Sequence, residues 1–207
     1  MSAELFEAID QHDLARAERL LLEGADPNAV QEHPPRWRPL GAAIEELEFG
    51  GSIEMVRLLL KHGADVNASY FDSKLVPIHA AMFTENLEVI RLLLENGSDP
   101  NALSEEDRSP LRFAVEQNSL EMAELFLHYG ADKTINDSGG FCGFTALGLA
   151  ARKQNVAMIA LLLKAGADTE AIDTDGETAR DHLPSPPPDE SKLQEWNRAK
   201  ELLSKRV

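Results

Sequence analysis

A single cysteine, Cys142, is all that 207 residues offer, so an intramolecular disulfide and a cysteine-rich zinc site are both excluded. Long apolar runs are missing too. Nothing approaches the roughly 18 consecutive apolar residues of a membrane helix. The opening segment MSAELFEAID has no basic flank followed by an apolar run, so no secretory signal is read there. Positive charge is scarce: 20 Lys and Arg stand against 36 Asp and Glu, a formal net charge of −16 with a pI near 4.7. Wrapping nucleic acid or an anionic membrane needs a basic surface, so neither is expected. A basic protein partner fits better, because opposite fields steer encounter, although the same acidity also serves solubility. The expected compartment is the cytoplasm.

Catalytic motifs are absent as well. No GxSxG, HExxH, Walker loop or dinucleotide glycine pattern occurs. The glycines of GGFCGF (139–144) have neither the spacing nor the context of a phosphate loop. The six histidines are scattered along the chain, and Cys142 has no basic neighbour in sequence to lower its pKa. No catalytic, cofactor-binding or metal-binding residue is expected.

What is present is one phrase, used five times. LLLEGADPNA (Leu20–Ala29) returns as LLLKHGADVNA, LLLENGSDPNA, LFLHYGADKTI and LLLKAGADTEA. Its glycines are Gly24, Gly63, Gly97, Gly130 and Gly166, at intervals of 39, 34, 33 and 36. A period near 33 is the sign of a helical repeat array. In LEVIRLLLENG the apolar residues Leu87, Val89, Ile90, Leu92, Leu93 and Leu94 predict a helix buried on both sides, as stacked repeats require. Gly97 fits the left-handed residue that ends such a helix. The polar phrase that follows reads as a turn. Its aspartates (Asp26, Asp65, Asp99, Asp132 and Asp168) come one per repeat, too far apart for one ion, and are expected to bond local backbone. Shorter helices, PLGAAIE, PIHAAMF and PLRFAVE, precede these and begin with proline, which is favoured at a first helical position. Each unit is therefore a pair of antiparallel helices plus an extended connection.

Pro77-Ile78-His79-Ala80-Ala81 resembles the Thr-Pro-Leu-His-x-Ala-Ala signature of the ankyrin repeat family. LLLxxGADxNA is similar to that family's second helix and turn, and DTDGETA (Asp173–Ala179) to its hairpin. The resemblance runs from about Glu4 to Ala179. It implies an all-α ankyrin-repeat solenoid of five helix-turn-helix repeats with a C-terminal capping helix. The repeats fall at approximately 4–29, 30–68, 69–102, 103–135 and 136–171, and the cap starts within 172–183. For His79 the resemblance implies a hydrogen bond that ties turn to helix. The first unit opens without a hairpin and is read as an N-terminal cap. A Pro-rich connection (184–190) carries three consecutive prolines, which forbid a helix. The stretch 191–207 then places Leu193, Trp196, Ala199 and Leu203 on one face. It is read as the capping helix, with a detachable partner-binding helix as the alternative.

Departures from the period mark surfaces that something has reshaped. The interval of 39 gains two residues in VQEHPPRWR (30–38) and about four in EELEFGG (45–51); four is close to one helical turn, so the first helix of that unit is expected to lengthen in register. The interval of 36 gains three in NDSGGFCGF (136–144). Aromatics gather in the connections at Trp37, Tyr70, Phe71, Phe141 and Phe144, where exposed rings act as hot-spot anchors. Local packing is the other reading. Glu45, Phe83, Glu116 and Arg152 follow the small residues of the short helices and are expected on the concave face, acidic at one end and basic at the other. The candidate protein-binding residues are Trp37, Glu45, Tyr70, Phe71, Phe83, Arg108, Phe141, Phe144 and Arg152. The expected function is binding of another protein, a basic one fitting the charge, through the concave face and hairpin fingers, by a chain that is a monomer when free. The alternative is a dedicated inhibitor or immunity-type protein that occludes a basic enzyme or toxin.

Overall fold

The computed structural model describes residues 1–32, 36–70, 74–140 and 142–204, and among these it contains eleven α-helices and no strand beyond isolated bridges. They group into two compact units, Met1–Asp99 and Pro100–Val207. In the first unit, α1 (Ser2–Asp10) pairs with α2 (Leu14–Leu22), α3 (Pro39–Glu45) with α4 (Ile53–Lys61), and α5 (Pro77–Phe83) with α6 (Leu87–Glu95). The first helices α1, α3 and α5 pack side by side, and so do α2, α4 and α6. In the second unit, α7 (Pro110–Glu116) pairs with α8 (Leu120–His128) and α9 (Ala146–Arg152) with α10 (Val156–Lys164). There α7 packs on α9, α8 on α10, and α11 (Glu190–Ser204) lies on α10. Among the described residues, no helix is long and apolar enough to cross a membrane.

Local chemistry sets these boundaries. The second helix of every pair starts at a short polar residue, Asp13, Ser52, Asn86, Ser119 or Asn155, whose side chain accepts a backbone N–H of the first turn. Each such cap is worth about 1 kcal/mol over alanine. The same helices end at the five recurrent glycines, all left-handed with φ between +86° and +98°, a conformation that costs glycine nothing.

The aspartate and asparagine of the repeated phrase have separate tasks. Asp26, Asp65 and Asp168 each accept the backbone N–H two residues on, within their own turn. Asparagine ties one turn to the next. Asn28 donates to the Gly63 carbonyl at 2.9 Å and accepts the Asp65 N–H at 2.7 Å. Asn67 repeats this with Gly97 at 2.9 Å and Asp99 at 3.0 Å. In the second unit Asn101 donates to Gly130 at 2.8 Å, and Asn136 accepts the Asp168 N–H at 2.8 Å. Thr134 takes the asparagine's place in the fourth copy, where Asn136 stands two residues on, and Glu170 takes it in the fifth, 3.5 Å from Arg180.

Leucine burial follows position within the pair. Leu58, Leu59 and Leu92 to Leu94 are buried, while Leu60 is half-buried. Of Leu161 to Leu163 only Leu162 is fully covered, because α10 is partnered on its outer side by α11 alone. The extra residues at 45–51 form a 3-10 turn, Glu46–Phe49, closed by left-handed Gly50, and not the prolonged α-helix that the sequence suggested. On α11, Ala199 and Leu203 are fully buried, the half-buried Trp196 indole donates to the Pro184 carbonyl at 2.6 Å, and Arg180 donates to the Leu203 carbonyl at 2.9 Å. Deleting residues 184–207 is therefore expected to remove roughly 2 kcal/mol or more of stability, the scale for uncovering such side chains, and to favour self-association. Urea denaturation and analytical ultracentrifugation of the truncated chain check this; parental stability in a monomer would mean that α11 covers nothing essential.

Candidate protein-docking surface

The third residue of each short helix decides what the neighbouring hairpin does. In α5 it is His79, buried, whose Nδ1 accepts the Val76 N–H at 3.1 Å and so ties the turn to the helix. In α3 it is Gly41, and the vacated space is filled by Tyr70: a Cβ on Gly41 would overlap that ring. Tyr70 is 5 % exposed, with Trp37 packed edge-on against it at 4.5 Å between centroids. Burial, and next the charge of Glu45, push the Tyr70 phenol well above its usual range. In α9 it is Gly148, and the His182 imidazole, from the turn just after the last hairpin, would lie 3.0 Å from a Cβ placed there. His182 Nε2 is 2.6 Å from Asp173 Oδ2, its Nδ1 is 3.5 Å from Glu177 Oε2, and its ring meets Phe144 at 4.3 Å. Burial raises the Asp173 carboxyl, but the Glu177 N–H, the His182 side chain and the Asp175 N–H outweigh it and hold the group below its ordinary value. Asp173, Glu177 and His182 present donor atoms within 4.8 Å of one another, and both imidazole nitrogens already face a carboxylate.

Two of the rings that the sequence assigns to exposed fingers are thus inside. Tyr70 is buried and Phe144 is 7 % exposed. The physical reasons differ: Tyr70 fills the space that Gly41 leaves at the third position of α3, whereas Phe144 is covered by the His182 ring, which itself lies against Gly148, and by Arg152. Trp37 is half-buried against Tyr70. Phe71 and Phe141 lie outside the described residues.

What remains exposed sits at the ends of the short helices. In the first unit Phe83 at the end of α5 is 56 % exposed, and Phe49 in the turn after α3 is 73 % exposed. Glu45, Glu46, Glu48 and Glu85 stand beside them in sequence, and α3 packs on α5. Phe49 escaped the sequence reading, since the insertion that carries it was taken as extra helix. The acid crowding is electrostatically costly. Burial, then Glu48, then Glu46, raise the Glu45 carboxyl above its usual value; burial and Glu46 raise Asp10, with His12 opposing. His12 pairs with Glu46 at 2.9 Å.

In the second unit the chemistry reverses. Arg108 Nη1 lies 3.0 Å from Glu116 Oε2, and Arg112 Nε lies 3.1 Å from Glu116 Oε1. Lys153 donates to the Glu116 carbonyl, and the exposed Arg152 sits over the Phe144 ring at 5.1 Å. Arg112, the third residue of α7, was not singled out from sequence.

A raised acid makes a signed prediction. A carboxyl whose folded pKa exceeds its unfolded value of about 4.3 favours the folded state at low pH, and that contribution is lost as pH rises through the folded value. Glu45→Gln is therefore expected to raise stability at pH 7 by up to about 1 kcal/mol after screening, and to change nothing below about pH 4. Denaturation midpoints at both pH values check it; a loss at pH 7 would mean that Glu45 makes a favourable contact.

The ankyrin repeats family model matches the chain three times, over residues 5–104, 74–137 and 111–183. The chain belongs to the ankyrin repeat family. It is 32 % identical over 174 residues, 79 % of its own length, to FPV014, an ankyrin repeat protein of fowlpox virus (strain NVSL). The chain spans 8 % and 36 % of the length of the curated relatives it matches. Among solved structures it is similar to a chain in the complex of Bd0816, a predatory endopeptidase from Bdellovibrio bacteriovorus, with immunity protein Bd3460. That likeness has a TM-score of 0.73 and 26 % identity and covers 100 % of this chain and 99 % of the other. The ankyrin repeat protein EF0377 shares its fold, with a TM-score of 0.77 and 22 % identity over 100 % of this chain and 99 % of that one.

Proposed function

We propose that this protein binds another protein, and that in its first unit the contact is made by Phe49 and Phe83 within the acidic group Glu45, Glu46, Glu48 and Glu85. The observation that carries the reading is the exposure of two phenylalanines, Phe49 in the turn that follows α3 and Phe83 at the end of α5, on helices that pack together. Exposed apolar surface rimmed by polar groups marks protein interaction sites where it is contiguous, and aromatic anchors dominate interface energies. The surrounding carboxylates select a partner segment that joins apolar side chains with lysine or arginine. In this reading no catalytic step, cofactor or metal is involved, the free chain is a monomer, and its single cysteine and acidic surface suit the cytoplasm.

The test uses two baits, the parent chain and the Phe49→Ala, Phe83→Ala double variant, with captured proteins quantified side by side. A protein retained by the parent and lost by the variant supports the assignment. Equal capture by both baits removes it. A second reading, occlusion of a basic enzyme, draws on the likeness over the full chain length to a member of the complex of an endopeptidase with an immunity protein. If the captured protein is an enzyme, stoichiometric loss of its activity supports occlusion, and unchanged activity in the complex supports an adaptor.

A further inference from the structure

Arg112 is 3 % exposed, and its guanidinium is only partly matched. Nε reaches Glu116, but Nη1 and Nη2 are buried and have no hydrogen-bond partner among the described residues. What lies against the guanidinium is the backbone of Gly140, left-handed at φ +63°, where a Cβ would come within 2.9 Å of Nε. This stretch is held by the Gly140 N–H, which donates to the Glu106 carbonyl at 2.9 Å, and by the close approach of Gly139 to the Asp107 backbone. It belongs to the 136–144 segment, which carries the three residues beyond the repeat period. A glycine-lined cover over a cation with two idle donors is costly for a purely structural element, because buried donors without acceptors forfeit their hydration.

We infer that the Nη1–Nη2 edge of Arg112 is a recognition site for a carboxylate, the side chain of an aspartate or glutamate on a protein partner, reached when the Gly139–Gly140 backbone lifts from it. The planar guanidinium fork matches a carboxylate with two parallel hydrogen bonds. The local charge points the same way. Arg108, Arg112 and Lys153 gather around Glu116, and Glu106 lies 3.7 Å from Arg108. Arg108 and Arg112 share the single carboxylate of Glu116, so their guanidinium donors outnumber the acceptors it offers. The exposed Arg152 lies over Phe144 at 5.1 Å and adds a cationic surface in the same unit. This deepens the protein-binding reading, on which it rests, and assigns the second unit a specificity opposite in sign to that of the first.

The test needs no partner, so it fails independently of the two-bait comparison. The full chain is titrated with a capped Ala-Leu-Glu-Leu-Ala peptide, its Gln twin and inorganic phosphate, while the Arg112 Nε–H resonance is followed by NMR. Arg112→His, which installs the residue that α5 carries at the same place, and Arg112→Gln identify the resonance and serve as controls. The expected result is a shift of that resonance with the Glu peptide, at least 10-fold weaker binding of the Gln twin, and loss of binding in both variants with no fall in melting temperature. Equal binding of the Glu and Gln peptides, retained binding in the variants, or phosphate displacing the peptide at lower concentration overturns the assignment. A silent resonance in the parent, together with destabilised variants, shows that Arg112 is only a clamp on Glu116.

Discussion

Leu93→Ala is expected to lower the unfolding free energy by roughly 2–5 kcal/mol, the range for a leucine removed from a packed core. Leu93 is fully buried on α6, a helix that packs against its own partner α5 and against α4 of the preceding pair. Shortening its side chain therefore opens a void where two pairs meet. In a repeat array stability is the sum of units and of the interfaces between them, so one cavity weakens both contributions. Urea denaturation at constant m-value measures the loss. A change below about 1 kcal/mol would place Leu93 outside the core.

The array was legible because its determinants are local. Glycine closes a helix within one residue of where it stands and an aspartate bonds the backbone two residues on, both written in the phrase itself; Pro39, Pro77 and Pro110, which open short helices, are as local. The asparagine ladder was half legible. Asn28, Asn67 and Asn101 recur with the glycines, but their partners, Gly63, Gly97 and Gly130, lie one repeat away. The candidate site was legible only where exposure follows position along a helix, as for Phe83. Tyr70 and Phe144 were misplaced because order along the chain puts them in loops, whereas what buries them lies elsewhere: the space over Gly41 for Tyr70, and the His182 ring, seated against Gly148, for Phe144. The signal was present, since PLGAA and ALGLAA both lack the residue that PIHAA has in the third place. Arg112 went unnoticed for the opposite reason. An arginine after Pro-Leu reads as a solvated face, and the backbone at Gly140, in the next hairpin, is what lies against its guanidinium.

Tyr70 and Phe83 separate packing from anchoring, and opposite outcomes are expected for them. Tyr70→Ala empties the space over Gly41 and removes the surface on which Trp37 rests. The expected loss is about 3–5 kcal/mol of stability, as for other buried large aromatic residues. Its hydroxyl is buried with no hydrogen-bond partner among the described residues. Tyr70→Phe should therefore be neutral or gain up to about 1 kcal/mol, since it removes an unsatisfied polar group. Phe83→Ala should leave stability within about 0.5 kcal/mol of the parent, the usual range for a surface substitution. Its effect belongs to binding: affinity for the captured partner should fall by about 2 kcal/mol or more, near 30-fold. Melting curves and calorimetric titrations of the three variants, run side by side, decide the matter. If Phe83→Ala loses stability in step with affinity, its ring is a packing residue, and the acidic phenylalanine surface of the first unit does not hold a partner.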